Sequence, residues 1–348
     1  MFANLVPVQS IAQPLMADIV FNNPNKQYFA GELVSGRVSF TITEPISARF
    51  IKISWDGVAK CDWNGIECDS EKEYLSSYIM AWISPDGKNE LPAGIHKYRF
   101  SFRLPADAPP SFTGMYGNID YKITVEVDRP WQWNVETVKH FNVVQKTCLA
   151  VSAPDFLLPA KFFNYKNSGL IFRDGVFSIK INFLKRAFLP GEVIKALVSM
   201  ENNSSKPINQ LEFQLIQQSH YHSRPQKTCC SLKDCLRECP ISYKFRRDGE
   251  FVIKEGIHHC HVAPHQTKNV VLEIQVPQKM PATFESSMIS MGYMLGFSLR
   301  NNSLTNNKLS CNARIVIGNE ARIDEDGSVR GFKSLDSLPP PPPPPYCP

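Results

Sequence analysis

The chain has 348 residues, 43% of them hydrophobic, with 22 Phe, 27 Pro and a formal net charge of +5. That length suits about two domains that each bury a core. The charge is mild and dispersed, Lys185-Arg186 and Arg246-Arg247 being the notable pairs, which excludes the basic stripe of a nucleic-acid binder. No stretch reaches the ~18 consecutive apolar residues that span a bilayer as a helix.

Residues 1–16 read as an N-terminal extension, mildly apolar, without a basic leader and interrupted by Pro7, Gln9 and Gln13. They do not resemble a secretory signal. Met1-Phe2 excludes N-myristoylation, and Cys347 stands one position too late for a prenylation box. The ten cysteines are therefore expected as thiols in a reducing compartment. The sequons Asn202-Asn203-Ser204 and Asn301-Asn302-Ser303 then carry no weight.

From Ala17 onward the pattern is short strands broken by Gly, Pro, Asn and Asp, as in an antiparallel sandwich. Val38–Ile42, Phe50–Trp55 and Tyr121–Val127 alternate apolar and polar residues and so place one face on a core. Pro85-Asp86-Gly87 and Leu91-Pro92-Ala93-Gly94 supply turn chemistry between strands. Helical period is missing over any stretch of 10–12 residues; a short helix, if one forms, is expected near Ser286–Met291 or in the Cys-rich segment. Connector residues begin at Thr147, and a second alternating region opens near Phe156, running through Val176–Ile181 to Ile315-Val316-Ile317.

The second region repeats the first. Phe29-Ala30-Gly31-Glu32-Leu33-Val34 recurs as Leu189-Pro190-Gly191-Glu192-Val193-Ile194, each opening an apolar strand. Phe102–Pro105 recurs as Ile274–Pro277, Pro110-Ser111-Phe112 as Ala282-Thr283-Phe284, and Tyr121-Lys122-Ile123 as Tyr293-Met294-Leu295. Landmarks repeated in one order imply duplicated domains, in which Gly31 matches Gly191 and Tyr121 matches Tyr293. The expected organisation is an extension (1–16), a first domain (17–146), a connector (147–155), a second domain (156–318) and a tail (319–348). The tail is polar and ends in the proline run Pro339–Pro345. It has too few apolar groups to offset its ordering entropy and is expected to be disordered.

These landmarks resemble the arrestin family, and within it the arrestin-domain-containing, or alpha, branch. The resemblance rests on Tyr28–Gly36, Leu91-Pro92-Ala93-Gly94, Tyr98–Phe102, Pro109-Pro110-Ser111-Phe112, Asn118–Ile123 leading to Asp128-Arg129-Pro130-Trp131, and, in the second half, Gly191-Glu192 and Pro277–Ser298. It covers about residues 17–318. It implies an all-β chain of two tandem arrestin-like, immunoglobulin-type antiparallel β-sandwich domains, with no active site and no cofactor. It also implies an adaptor that links membrane receptors or transporters to WW-domain, HECT-type ubiquitin ligases for ubiquitination, endocytosis and endosomal sorting. Such a protein is cytoplasmic, reaches the plasma membrane and endosomes by recruitment, and associates with membranes peripherally. The chain departs from many relatives in offering one Pro-Pro-x-Tyr motif where they carry two, on a short tail. It also lacks an acidic-hydrophobic clathrin-box-like segment.

Pro343-Pro344-Pro345-Tyr346 is the strongest functional motif. A proline run favours the polyproline II conformation, which lowers the entropic cost of docking. Three residues per turn let Pro343 and Pro344 wedge between the aromatic rings of a WW domain. Tyr346 then fills a second pocket with its ring and keeps its hydroxyl hydrogen-bonded. The competing readings are a solubilising tail or an SH3 or profilin ligand. Pro109-Pro110-Ser111-Phe112 carries Phe in place of Tyr and reads as a structural turn.

Cys229, Cys230, Cys235 and Cys239 lie near His220 and His222, with His258, His259, Cys260 and His261 downstream. Thiolates and imidazoles are zinc donors, and Cys229, Cys235, Cys239 and His222 are the candidate ligands. A Cys-x-x-Cys pair is absent, and the adjacent Cys229 and Cys230 would point to opposite faces of a strand. The expectation is no bound metal. Phosphate loops, nucleophile elbows and His-Glu-x-x-His are also absent from the sequence, and Asp18, Asp62, Asp120 and His96 are scattered, so an enzyme is not expected. The alternative functions are a retromer-like coat or sorting subunit on the same scaffold, or a Cys/His metal or redox sensor.

Overall fold

The computed structural model describes residues 16–63, 70–85, 87–168, 174–224, 239–301 and 307–320. The chain divides into two compact units. In the first, the strands are β1 (Asp18–Phe21), β2 (Gln27–Phe29), β3 (Leu33–Ile42), β4 (Ile46–Ser47), β5 (Phe50–Cys61), β6 (Ser70–Ile83), β7 (Glu90–Leu91), β8 (Gly94–Arg103), β9 (Phe112–Gly114), β10 (Gly117–Asp128) and β11 (Val135–Val144). They form a three-stranded sheet, β1-β3-β8, and a larger sheet, β2-β11-β10-β5-β6, with β9 beside β10. The pair β4-β7 stands apart.

The strict alternation of β3, β5 and β10 turns one face of each strand inward. The inward faces of the two sheets meet. Phe21 of β1 contacts Phe141 of β11 with ring centroids 5.7 Å apart. Trp55 of β5 stacks on Phe102 of β8 at 4.5 Å. Burying each such ring contributes about 1.5–3 kcal/mol before ordering costs.

The second unit opens with the short helix α1 (Leu149–Ser152) and a 3₁₀ turn (Pro154–Leu157), followed by β12 (Ala160–Asn167), β13 (Gly175–Phe183), β14 (Ala187–Phe188), β15 (Val193–Ser204), β16 (Ile208–His222), β17 (Arg246–Val262), β18 (Gln266–Gln275), β19 (Ile289–Asn301) and β20 (Lys308–Ile317). Sheet β12-β13-β15-β18 packs on sheet β14-β20-β19-β16-β17, with Phe183 of β13 against Phe297 of β19 at 6.2 Å. Each unit is therefore an antiparallel sandwich, with one parallel edge strand in each: β2 along β11 and β14 along β20.

One feature is new here and one expectation changes. The connector contains α1, which buries Leu149 and, with Phe156 and Ala187, forms a small cluster. The Ser286–Met291 segment is not helical. Ser286 Oγ accepts from Ile289 N at 3.2 Å and donates to Ile289 O at 2.7 Å, which turns the chain into β19. A serine hydroxyl offers the backbone a local alternative to a helical ladder.

The duplication extends to individual hydrogen bonds. Gly31 and Gly191 adopt φ of +83° and +88°, the left-handed region that glycine enters without a Cβ penalty. Behind each, a glutamate carboxylate closes the turn: Glu32 accepts from Phe29 N at 2.8 Å, and Glu192 from Leu189 N at 3.1 Å. Leu104 N donates to Glu32 O and Val276 N to Glu192 O, both at 2.9 Å. Tyr121 Oη donates to Pro109 O and Tyr293 Oη to Pro281 O, each at 2.7 Å and each twelve residues upstream. This is the tyrosine-corner arrangement of immunoglobulin-type sandwiches. Burial pushes both phenols above their ordinary pKa, so both remain protonated donors. Ser111 and Thr283 also match: Ser111 N bonds Val143 O and Thr283 N bonds Ile317 O, both at 2.8 Å. Their hydroxyls accept in return, from Val143 N at 3.0 Å and Ile317 N at 3.1 Å.

The segment Pro109–Phe112 is thus a structural corner. Pro109 O receives the Tyr121 hydroxyl, and Phe112 is buried. The sequon asparagines are buried as well. Asn202 is fully enclosed and Asn301 nearly so, leaving neither amide open to glycosylation.

Candidate functional site

Pro343, Pro344 and Tyr346 lie outside the described residues, as do Cys229 and Cys235. Within the second unit, the described residues bring one chemically dense cluster together: His220, His222 and Cys239, all buried. His220 and His222 close strand β16. Side chains two apart on a strand share a face, so the two imidazoles point the same way. Their rings meet edge to face with centroids 4.6 Å apart. The Nε2 atoms are 2.9 Å apart, and Cys239 Sγ lies 3.4 Å from His222 Nε2.

The β16–β17 pairing sets Asp248 opposite His220 and Arg246 opposite His222. His220 Nδ1 donates to Asp248 Oδ1 at 2.5 Å, which directs Nε2 into the cluster. Arg246 Nη1 donates to Cys239 O at 2.9 Å and fixes the backbone that carries the thiol. His222 N donates to Met288 O at 2.8 Å and ties the strand end to the approach of β19. Burial disfavours a charge on His220, but the Asp248 carboxylate, with Cys239, outweighs burial and raises its pKa above the ordinary imidazole value. Burial and the facing His220 push His222 down to about 4. The two facing imidazoles are thus pushed in opposite directions, as expected for groups that cannot both be charged in a low-dielectric site.

The histidines further along the chain separate from this cluster. His258 pairs with Leu211 and His259 with Gln210, towards the other end of the hairpin, and His259 and His261 are exposed. Of the four candidate metal ligands read from the sequence, His222 and Cys239 come together, and His220 joins them. Asp248 has no signal in the sequence, because only cross-strand register places it opposite His220. The signal available for the two histidines was their spacing, His-x-His at the end of an apolar strand. Of the scattered polar residues, His96 Nε2 contacts Pro92 O at 2.8 Å, and Asp120 Oδ2 sits 2.9 Å from His140 Nδ1 on the surface.

At the β10–β11 turn of the first unit, Trp131 and Trp133 are fully exposed. Trp131, in the Arg-Pro-Trp sequence, adopts φ of +61°. Among the described residues, no helix is long and apolar enough to cross a membrane.

The sequence matches the family model described as the arrestin (or S-antigen) N-terminal domain over residues 17–150, and the arrestin C-terminal domain model over residues 173–321. The chain belongs to the arrestin family. Relatives place this arrestin-domain chain in the alpha branch. It is 33% identical to the Homo sapiens thioredoxin-interacting protein over 199 residues, covering 54% of this chain and 50% of that protein. Caenorhabditis elegans arrestin domain-containing protein 17 is 31% identical over 225 residues, 60% of this chain and 52% of that one. Mus musculus arrestin domain-containing protein 4 is 28% identical over 205 residues, 54% and 49% respectively. The arrestin chain spans about half the length of the curated relatives it matches.

Proposed function

We propose that the protein is a non-catalytic trafficking adaptor, in which the two sandwiches engage membrane cargo while Pro343-Pro344-Pro345-Tyr346 recruits a WW-domain ubiquitin ligase of the HECT type. Membership of the arrestin family supports the adaptor role in general terms. The observation that carries the ligase link is the proline run closed by Tyr346, outside both arrestin domains. Prolines 343 and 344 supply the rings for an aromatic clamp, and Tyr346 supplies the anchor of the second pocket. The action is peripheral, in the cytoplasm and at the plasma membrane and endosomes.

Calorimetric titration of the full chain with a ligase WW domain tests the motif. The expected dissociation constant is on the order of 1–100 μM, about −8 to −5.5 kcal/mol. Tyr346→Ala removes an aromatic anchor and is expected to weaken binding by ~2 kcal/mol or more, about 30-fold. Pro343→Ala or Pro344→Ala weakens it too, whereas Pro339→Ala leaves it nearly unchanged. Equal affinity for the wild type and Tyr346→Ala would remove the basis of the ligase link.

A further inference from the structure

We propose that His220, His222 and Cys239 form a zinc site at the end of the β16–β17 hairpin, with Asp248 as the group that orients His220. The donor set is one that zinc accepts: imidazole nitrogens and a thiolate. The spacing fits as well. Two ligands bound at about 2.0–2.1 Å to one tetrahedral ion stand about 3.3 Å apart, and a nitrogen and a sulfur about 3.5–3.6 Å apart. The two Nε2 atoms are 2.9 Å apart and the nitrogen–sulfur distance is 3.4 Å, so an ion needs only a few tenths of an ångström of adjustment. All three donor atoms lie within 4.8 Å of one another.

The surroundings match what a metal-bound histidine requires. A ligating imidazole commonly donates its other N–H to a carboxylate, which fixes tautomer and ring orientation. The Asp248 contact to His220 Nδ1 does this and leaves Nε2 for the ion. Arg246 holds the Cys239 carbonyl and so fixes the backbone that carries the thiol. All three donors are buried, and an ion between the two facing Nε2 atoms would take a lone pair from each. The protein supplies three corners of a tetrahedron; water or a further donor takes the fourth. The ion then staples Cys239 to the end of β16, a structural role that leaves the adaptor reading untouched.

The missing Cys-x-x-Cys pair argued against zinc in the sequence, but these donors come from a strand end and a single thiol. Elemental analysis of the full chain, expressed with zinc and purified under reducing conditions, tests the site. About one zinc per chain is expected for the wild type and for His258→Ala, at the far end of the hairpin, and well under half of that for Cys239→Ser and His222→Ala. Because a variant can fail by unfolding, Co²⁺ is added to metal-stripped wild type as a second measurement. The thiolate–cobalt charge-transfer band expected at one equivalent should be displaced by zinc. Asp248→Asn is expected to keep the fold and weaken zinc binding about 10–100-fold. Absence of stoichiometric zinc together with absence of a cobalt–thiolate band, or zinc content unchanged in Cys239→Ser and His222→Ala, overturns the proposal.

Discussion

Asn202→Ala is expected to cost the second unit about 3–4 kcal/mol, several times an ordinary surface substitution. Asn202 is fully buried in β15. Its Nδ2 donates to Lys206 O at 2.9 Å, to Val262 O at 3.0 Å and to Ala263 O at 3.3 Å. Its Oδ1 accepts from Ser204 N at 3.1 Å and Ser204 Oγ at 2.7 Å. One amide thus ties β15, the turn into β16 and the end of β17. Alanine leaves Val262 O and Ser204 N without this partner, while Lys206 O keeps the Ser204 hydroxyl at 3.1 Å and Ala263 O keeps Gln266 N at 3.2 Å. Each orphaned group carries a desolvation penalty of about 1–3 kcal/mol, relieved in part by relaxation. Asn202→Asp is expected to be worse, since a carboxylate keeps the acceptor but faces the carbonyls without a proton to offer. The urea midpoint of the second unit reports the change. A loss under about 0.5 kcal/mol for Asn202→Ala would mean that the network does not hold these elements together.

The two tyrosine corners are expected to fail in parallel. Tyr121→Phe and Tyr293→Phe each remove one buried hydroxyl and orphan one proline carbonyl, at about 1–2 kcal/mol. Tyr121→Ala and Tyr293→Ala also empty the ring site and are expected to cost about 4–5 kcal/mol. In the first unit the ring packs against Gly57, where an added Cβ would stand 2.4 Å from a Tyr121 ring carbon. That glycine is needed for close approach, so the ring site cannot collapse readily when the ring is lost. Equilibrium unfolding of the four variants checks the pairing. A neutral Tyr121→Phe beside a costly Tyr293→Phe would contradict the equivalence of the corners.

The fold was largely legible because its determinants are local or repeated. The alternation in Val38–Ile42 and Tyr121–Val127 is a direct image of one buried face. The landmark pairs Gly31/Gly191 and Tyr121/Tyr293 stand at positions where only a narrow chemistry serves: a left-handed turn in one case, a hydroxyl returned to a corner in the other. The helix α1 was not legible, since four residues are too few to display helical period. The His220–Asp248 contact was hidden for a different reason. It depends on the register of β16 against β17, which shifts at an irregularity between Leu215 and Ile216. A one-residue difference there would send Asp248 to the opposite face. Density of Cys and His along the chain was a poor guide, because strand geometry divides them between the two ends of one hairpin. The proline run closed by Tyr346 rests on sequence chemistry alone, since WW recognition of an extended peptide needs no tertiary context, and it lies outside the described residues.

Proximity labelling in cells, with the full chain and with its Tyr346→Ala variant, tests the division of labour most directly. The adaptor account predicts that the wild type labels WW-containing HECT ligases together with membrane receptors or transporters. It predicts that Tyr346→Ala loses the ligases and keeps the membrane proteins. Ligase labelling unchanged by Tyr346→Ala, or a partner set of fixed stoichiometry that ignores the tail, would contradict it and favour a permanent sorting-complex subunit.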